Sequence, residues 1–269
     1  MSAADSPVPR LVARLRAAGC VFAEDEAALL VQAASSPEEL ETLLGARVSG
    51  VPLEQLLGWT EFCGLRIAVE PGVFVPRQRT ALLVQEAARS CGPGSVVVDL
   101  CCGSGAIGAA LAALVPGIEL HATDLDAVAV RCARRNLPGG QVHQGDLFAA
   151  LPARLRHRVQ VLACHAPYVP SGAIGAMPPE ARDHEPRTAL DGGVDGLDVL
   201  RRVIGAAPDW LAPAGVLLFE VGEDQVDSAT AELVSRGLGA RLARRPDIGA
   251  TVLVAVAQDM SPGAGPAAS

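Results

Sequence analysis

Hydrophobic and polar positions change their spacing three times along the chain. Leu11, Val12 and Leu15 fall at helical spacing, and the pattern stays helical through residue 57. Ser36-Pro37-Glu38-Glu39 predicts a helix start, with a hydroxyl cap, proline at the first helical position and an acid three residues on. Leu40, Leu43 and Leu44 then form one apolar stripe. Over 58–77 the pattern shortens to alternation, Leu65-Arg66-Ile67-Ala68-Val69, before a turn at Pro71-Gly72. Thr80 to Arg89 reads as a helix. From Val96 short apolar runs alternate with helical stretches, and strands are predicted at 96–99, 118–123, 141–144, 159–164, 215–221 and 250–257. That alternation predicts an α/β fold, a doubly wound, mostly parallel sheet covered on both faces. The expected organisation is an N-terminal helical domain over 1–57, a β connector over 58–77, the doubly wound domain over 78–258, and a disordered tail over 259–269, rich in Pro, Gly, Ala and Ser.

The first predicted strand of that domain ends in Asp99 and runs into Leu100-Cys101-Cys102-Gly103-Ser104-Gly105-Ala106-Ile107-Gly108, then an apolar helix to Leu114. Strand, glycine turn and helix form a nucleotide-cofactor layout, because glycines let backbone approach a ligand closely. Gly103-x-Gly105-x-x-Gly108 is formally a dinucleotide fingerprint, with Asp124 roughly 20 residues on, where a ribose-binding acid belongs. The same turn resembles motif I of class I S-adenosylmethionine (SAM) methyltransferases. The acid at 99 suits the cationic methionine end of SAM better than a pyrophosphate.

Composition narrows the field. All 22 basic residues are arginine, the net charge is −8, and no basic run of the kind a nucleic-acid binder shows is present. Arg131/Arg134/Arg135 and Arg154/Arg156/Arg158 read as solvated faces. Seven cysteines, an odd number set mostly in apolar surroundings, suggest free thiols in a reducing cytoplasm. No signal peptide and no membrane-length apolar run are visible. Cys101-Cys102 lacks a CxxC partner, and His121, His143 and His157 lack metal spacing, so no metal is expected.

Two further strands end in acids. Asp124 can accept both ribose hydroxyls, while Asp126 reads as the cap of the following helix. Asp146 can accept from an adenine amino group, with Leu147 packing on the ring. The fourth strand runs into Cys164-His165-Ala166-Pro167-Tyr168-Val169-Pro170. This stretch resembles the Asn-Pro-Pro-Tyr motif of methyltransferases acting on amide or exocyclic nitrogens. The chain as a whole resembles the protein-(glutamine-N5) methyltransferases, which modify the glutamine of the Gly-Gly-Gln motif in peptide-chain release factors. The likeness includes Pro52 to Gly58 with Glu61-Phe62, Val73 to Thr80, Glu185 to Leu190, Gly192-Gly193 with Asp195-Gly196-Leu197, Leu211 to Gly215, and Glu220 to Gln225.

The resemblance implies one antiparallel strand near the C-terminus, SAM as cofactor, and a protein partner carrying a glutamine. It implies cofactor contacts from Asp99, Cys101, Cys102, Gly103, Ser104, Gly105, Asp124, Asp146, Leu147 and His165. It implies catalytic positions at His165, Ala166, Pro167 and Tyr168, where the family's Asn side chain and the next carbonyl accept the two N–H groups of the substrate amide. Here His165 replaces Asn and Ala166 the first Pro; Cys101 replaces a glycine, Ala81 a Glu and Gln55 a Tyr. A neutral imidazole offers one acceptor nitrogen, so transfer is expected to fall as acid protonates it. The other reading of His165 is a strand-end residue bonded to backbone, with catalysis lost. Glu185 reads either as a support for the loop after the fourth strand or as a surface acid, and His184 as structural. The helical domain reads as a stabilising cap or as a docking surface for the release factor. A nucleic-acid base N-methyltransferase and a non-catalytic SAM-binding module remain as alternatives.

Overall fold

The computed structural model describes residues 8–257. The tail predicted to be disordered lies outside them. Four helices come first: α1 (Val8–Ala17), α2 (Ala23–Ala33), α3 (Pro37–Val48) and α4 (Leu53–Leu57). Leu11, Leu15, Leu30 and Leu44 form their shared core. Ser36 caps α3, its Oγ accepting from the Glu39 amide at 3.2 Å. The reciprocal acid, Glu39, reaches the Ser35 amide instead, at 2.6 Å. Buried Arg47 on α3 donates to Glu26 at 2.6 Å and pairs with Glu180 at 2.7 Å. Glu180 lies on α8 (Pro179–His184), so this pair ties the helical region to the following domain.

A hairpin of β1 (Trp59–Phe62) and β2 (Leu65–Ala68) turns on Cys63 and Gly64, both at positive φ, as a two-residue turn between right-twisted strands requires. Phe62 and Ile67 face the core below. The main sheet has seven strands in the order β5-β4-β3-β6-β7-β9-β8. They are β3 (Val96–Leu100), β4 (Glu119–Asp124), β5 (Gln141–Gln144), β6 (Val159–Cys164), β7 (Leu211–Glu220), β8 (Leu238–Arg245) and β9 (Ala250–Ala257). β9 runs antiparallel to both β7 and β8, and the other pairings in the sheet are parallel. Helices α5 (Ala81–Ala88), α6 (Ala106–Leu114), α7 (Ala127–Asn136), α9 (Asp198–Ala206) and α10 (Val226–Ser235) connect them.

Two departures from the predicted pattern have local causes. β8 was not predicted, because its run Leu-Gly-Ala-Arg-Leu-Ala-Arg-Arg lacks β-branched residues and carries three arginines. It is an edge strand, where outward charge blocks pairing with another chain. β7 begins four residues early, at Leu211, and bends through Pro213 and Ala214, with a register shift against β6. β3 alternates as a doubly covered strand must. Val96, Val98 and Leu100 pack on one face and Val97 on the other. The strand order reverses at β3, which pairs with β4 on one side and β6 on the other. A crevice beyond the carboxyl ends of the strands opens at such a point.

Candidate active site

That crevice is a cavity of about 300 Å³. Cys101, Cys102, Gly103 and Ser104 line it from the glycine turn, Asp124 from the end of β4, Asp146 and Leu147 from the end of β5, and His165 and Pro167 from the end of β6. A second cavity of about 270 Å³ adjoins it, lined by Ala166, Tyr168 and Val169. The two share Phe74, Arg77, His165, Pro167 and Ala189.

Two of the residues expected to touch a cofactor do not line the cavity. Asp99 is fully buried beneath the turn, on the α6 face of β3. Its Oδ2 accepts from the Gly108 amide at 2.9 Å, and its Oδ1 has no partner. Burial pushes its pKa up to about 7 against the lowering effect of that amide. Gly105 starts α6 at φ 78, and a Cβ there would stand 3.0 Å from Leu137 and 3.2 Å from Ala133. Its smallness lets the turn sit close to α7.

Asp124 is held rigidly. Its Oδ2 accepts from the Gly103 amide at 2.8 Å and its Oδ1 from the Asp126 amide at 2.9 Å. Burial raises its pKa while these amides oppose the shift. Asp126 caps α7, accepting from the Val128 amide at 2.6 Å. Asp146 caps nothing; it accepts from Arg202 of α9 at 2.6 Å. Cys101 sits at φ 55, left-handed backbone that costs a non-glycine residue about 1–2 kcal/mol. Its thiol is pushed up by neighbouring Cys164 and by burial, so it stays protonated.

A polar cluster backs the second cavity. Glu220, the last residue of β7, is almost fully buried. Its Oε1 accepts from Tyr168 at 2.7 Å and from Arg79 at 2.8 Å, and its Oε2 from Thr80 at 2.9 Å. Arg79 also donates to the Tyr168 hydroxyl at 2.8 Å. Burial opposes ionisation of Glu220, but His165, Arg79 and Tyr168 together hold its carboxyl well below the usual range. Burial, then Glu220, push the Tyr168 hydroxyl up, so it stays protonated and donates. Around the rim, Glu185 accepts from the Val75 amide at 3.1 Å and from Arg77 at 2.5 Å. It thus joins the 73–77 segment to the loop after β6, a support role rather than a surface one. His184 packs beside Gly50. His121 and His143, far apart in sequence, meet at 3.1 Å across β4 and β5. Among the described residues no group of three or more metal-ligating side chains forms.

Arg79, Thr80, Glu220 and Gln225 have no role among the expectations drawn from sequence. Glu220 was detectable, as an acid closing an otherwise apolar strand. Arg79 was not, because its partner lies 141 residues away.

The glycine turn at a reversal of strand order, with acids at the ends of the next strands around one cavity, is the layout of a nucleotide-cofactor site, here on the fold of a class I methyltransferase. Comparison with known proteins agrees. Residues 64–158 match the methyltransferase small domain. A release factor glutamine methyltransferase of Geobacter sulfurreducens is 38% identical over 200 residues, 72% of this chain and 69% of that one. A 4-amino-L-phenylalanine/4-methylamino-L-phenylalanine methyltransferase of Streptomyces pristinaespiralis is 34% identical over 219 residues, 78% of this chain and 74% of that one. The fold is also that of a Pyrococcus furiosus methyltransferase, at 15% identity and TM-score 0.54 over 72% of this chain and 89% of that one. The chain belongs to the release factor glutamine methyltransferase family, whose cofactor is S-adenosylmethionine. The dinucleotide reading of the glycine turn is thereby set aside.

Proposed function

We propose that this protein transfers a methyl group from SAM to the side-chain amide N5 of a glutamine in a protein, with a release factor as the substrate. The observation that carries this reading is the position of His165, which lines both cavities, with Ala166 beside it in the lining of the second. An acceptor nitrogen held there, by the imidazole and the Ala166 carbonyl, faces the cofactor side. When bound, SAM supplies a methyl group, and its sulfur keeps the S–C electron pair. The residues fit that cofactor. Asp124 has a carboxylate fixed toward the ribose position, and the orphaned Oδ1 of Asp99 lies beneath the turn that would hold the methionine end. Asp146 and Leu147 would hold the adenine. Cys101, Cys102, Gly103, Ser104 and Gly105 would shape the turn around the cofactor.

Pro167 and Tyr168 keep the acceptor loop rigid, and positioning of a poor nucleophile is the main catalytic contribution. The docking face we assign to the release factor is the helical bundle, where Val21 and Phe22 are exposed. A translation substrate places the enzyme in the cytoplasm. No helix among the described residues is long and apolar enough to cross a membrane. The −8 charge argues against a nucleic-acid acceptor.

The test is label transfer from methyl-tritiated SAM into host extract, split between protease and nuclease treatment. A discrete protease-sensitive band that comigrates with a release factor is expected. Nuclease-sensitive label, or label confined to small molecules, overturns the glutamine reading.

A further inference from the structure

His165 is held from three sides. The Phe74 and Tyr168 rings meet its imidazole edge-on, with centroids 5.4 and 5.8 Å away. Its Nε2 is buried, has no hydrogen-bond partner, and lies 3.8 Å from Glu220 Oε2. The charged and titratable groups facing it are Glu220 from β7, Asp99 from β3, Tyr168 from its own loop, and Arg77 and Arg79 from the 73–80 segment.

A neutral imidazole carries its proton on one nitrogen and a lone pair on the other. If Nε2 held the lone pair, it would face an ionised carboxylate with little water between them, and the two would repel. If Nε2 holds the proton, the same geometry is attractive, and closing the distance by less than an ångström completes a hydrogen bond. We propose that Glu220 is a positioning residue that fixes His165 as the Nε2–H tautomer, so that Nδ1 is the acceptor offered to the substrate N–H.

This deepens the glutamine reading and rests on it for the identity of the substrate. Nδ1 and the Ala166 carbonyl together supply two acceptors, the number that a primary amide with two N–H groups needs. As the nitrogen lone pair bonds to the methyl carbon, the sulfur keeping the S–C pair, the N–H proton passes to Nδ1. Glu220 stabilises the resulting imidazolium until that proton leaves to water. An asparagine at this position accepts a hydrogen bond but takes no proton. The substitution to histidine therefore adds a proton sink, and it needs a carboxylate behind the ring. A base oriented by a buried acid follows the same logic as an acid–histidine pair behind a nucleophile.

The experiment is a long-range proton–nitrogen correlation spectrum of protein labelled with nitrogen-15 histidine, taken where the imidazole is neutral, with His165 assigned from the signal missing in His165→Asn. The Nε2–H pattern is expected in the wild type. It should become mixed in Glu220→Gln, whose amide can face the ring as donor or acceptor. An Nδ1–H pattern in the wild type overturns the proposal, as does an unchanged Nε2–H pattern in Glu220→Gln. If that variant does not fold, the wild-type spectrum alone still decides the tautomer. In turnover, Glu220→Gln should lower kcat about 100-fold with little change in KM. Absence of any transfer to a release factor would sink the substrate assignment but leave the tautomer measurement standing, so the two readings fail separately.

Discussion

Gln225 donates its side-chain amide to the Tyr168 carbonyl at 2.8 Å and to the Asp195 carbonyl at 2.9 Å. One amide group thus ties the loop after β6 to the glycine-rich segment before α9. Gln225→Ala leaves both carbonyls without that donor, and a buried unpaired polar group costs about 1–3 kcal/mol. The expected result is a loss of about 2 kcal/mol in urea unfolding and a fall in kcat larger than any change in SAM affinity. Stability equal to the wild type would show that the tie is idle.

Gly196, at φ 80, packs against the same tie, and a Cβ there would overlap the Tyr168 carbonyl and the Gln225 amide. Gly196→Ala therefore combines left-handed strain with a backbone collision. It should destabilise the protein by more than about 2 kcal/mol. The check is a thermal melt beside Gly172→Ala, whose site is open and should be nearly neutral.

Asp99 makes stability depend on pH. Burial raises its folded pKa to about 7, above the unfolded value of 3.8. The folded state therefore holds the proton more tightly than the unfolded chain. This contribution is complete below the unfolded pKa and is lost as pH rises through about 7. Asp99→Asn removes the buried charge, so its melting temperature should gain on the wild type between pH 5 and pH 8, while its affinity for SAM drops. An equal gap at both pH values would contradict the buried charge.

Asp124 presents its carboxylate through two backbone amides. If it receives the ribose, Asp124→Asn should weaken SAM binding about tenfold, and Asp124→Ala more, since hydrogen bonds to charged groups contribute about 1.5–3 kcal/mol. Calorimetric titration reads both, and unchanged affinity in Asp124→Ala would remove it from the cofactor site.

Arg47 and Glu26 form a buried pair inside the helical bundle. Removing only the arginine leaves a carboxylate without its partner, a loss of about 3–5 kcal/mol for a buried pair. Arg47→Met should unfold at markedly lower urea concentration, and adding Glu26→Leu should recover much of the loss. A double variant no better than the single would point to the link with Glu180 as the stabilising contact.

Much of this architecture was legible because the signals are local. Ser36 caps α3, Asp126 caps α7, and the strands of the parallel core lie within a few residues of their predicted positions, because each rests on a short run of side chains and on backbone preference. The arginine-rich edge strand β8 escaped the pattern because it is held by pairing with β9 rather than by an apolar face of its own. The turn was legible in outline, but not that Asp99 lies beneath the cavity rather than in its lining. Nothing in a sequence says whether a strand-end acid points up into a crevice or across into a helix.

The sequence by itself determined the class of fold, because periodicity, caps and a glycine turn act over a few residues, while the kind of cofactor came from the likeness of its motifs to a known family. Only the tertiary structure decided what stands behind His165. Arg79 and Thr80 precede α5, Tyr168 follows β6 and Glu220 closes β7, and they meet because the sheet order brings those ends together. The environment of an imidazole depends on neighbours in space, and Glu220, Thr80 and Arg79 are 55, 85 and 86 positions away along the chain.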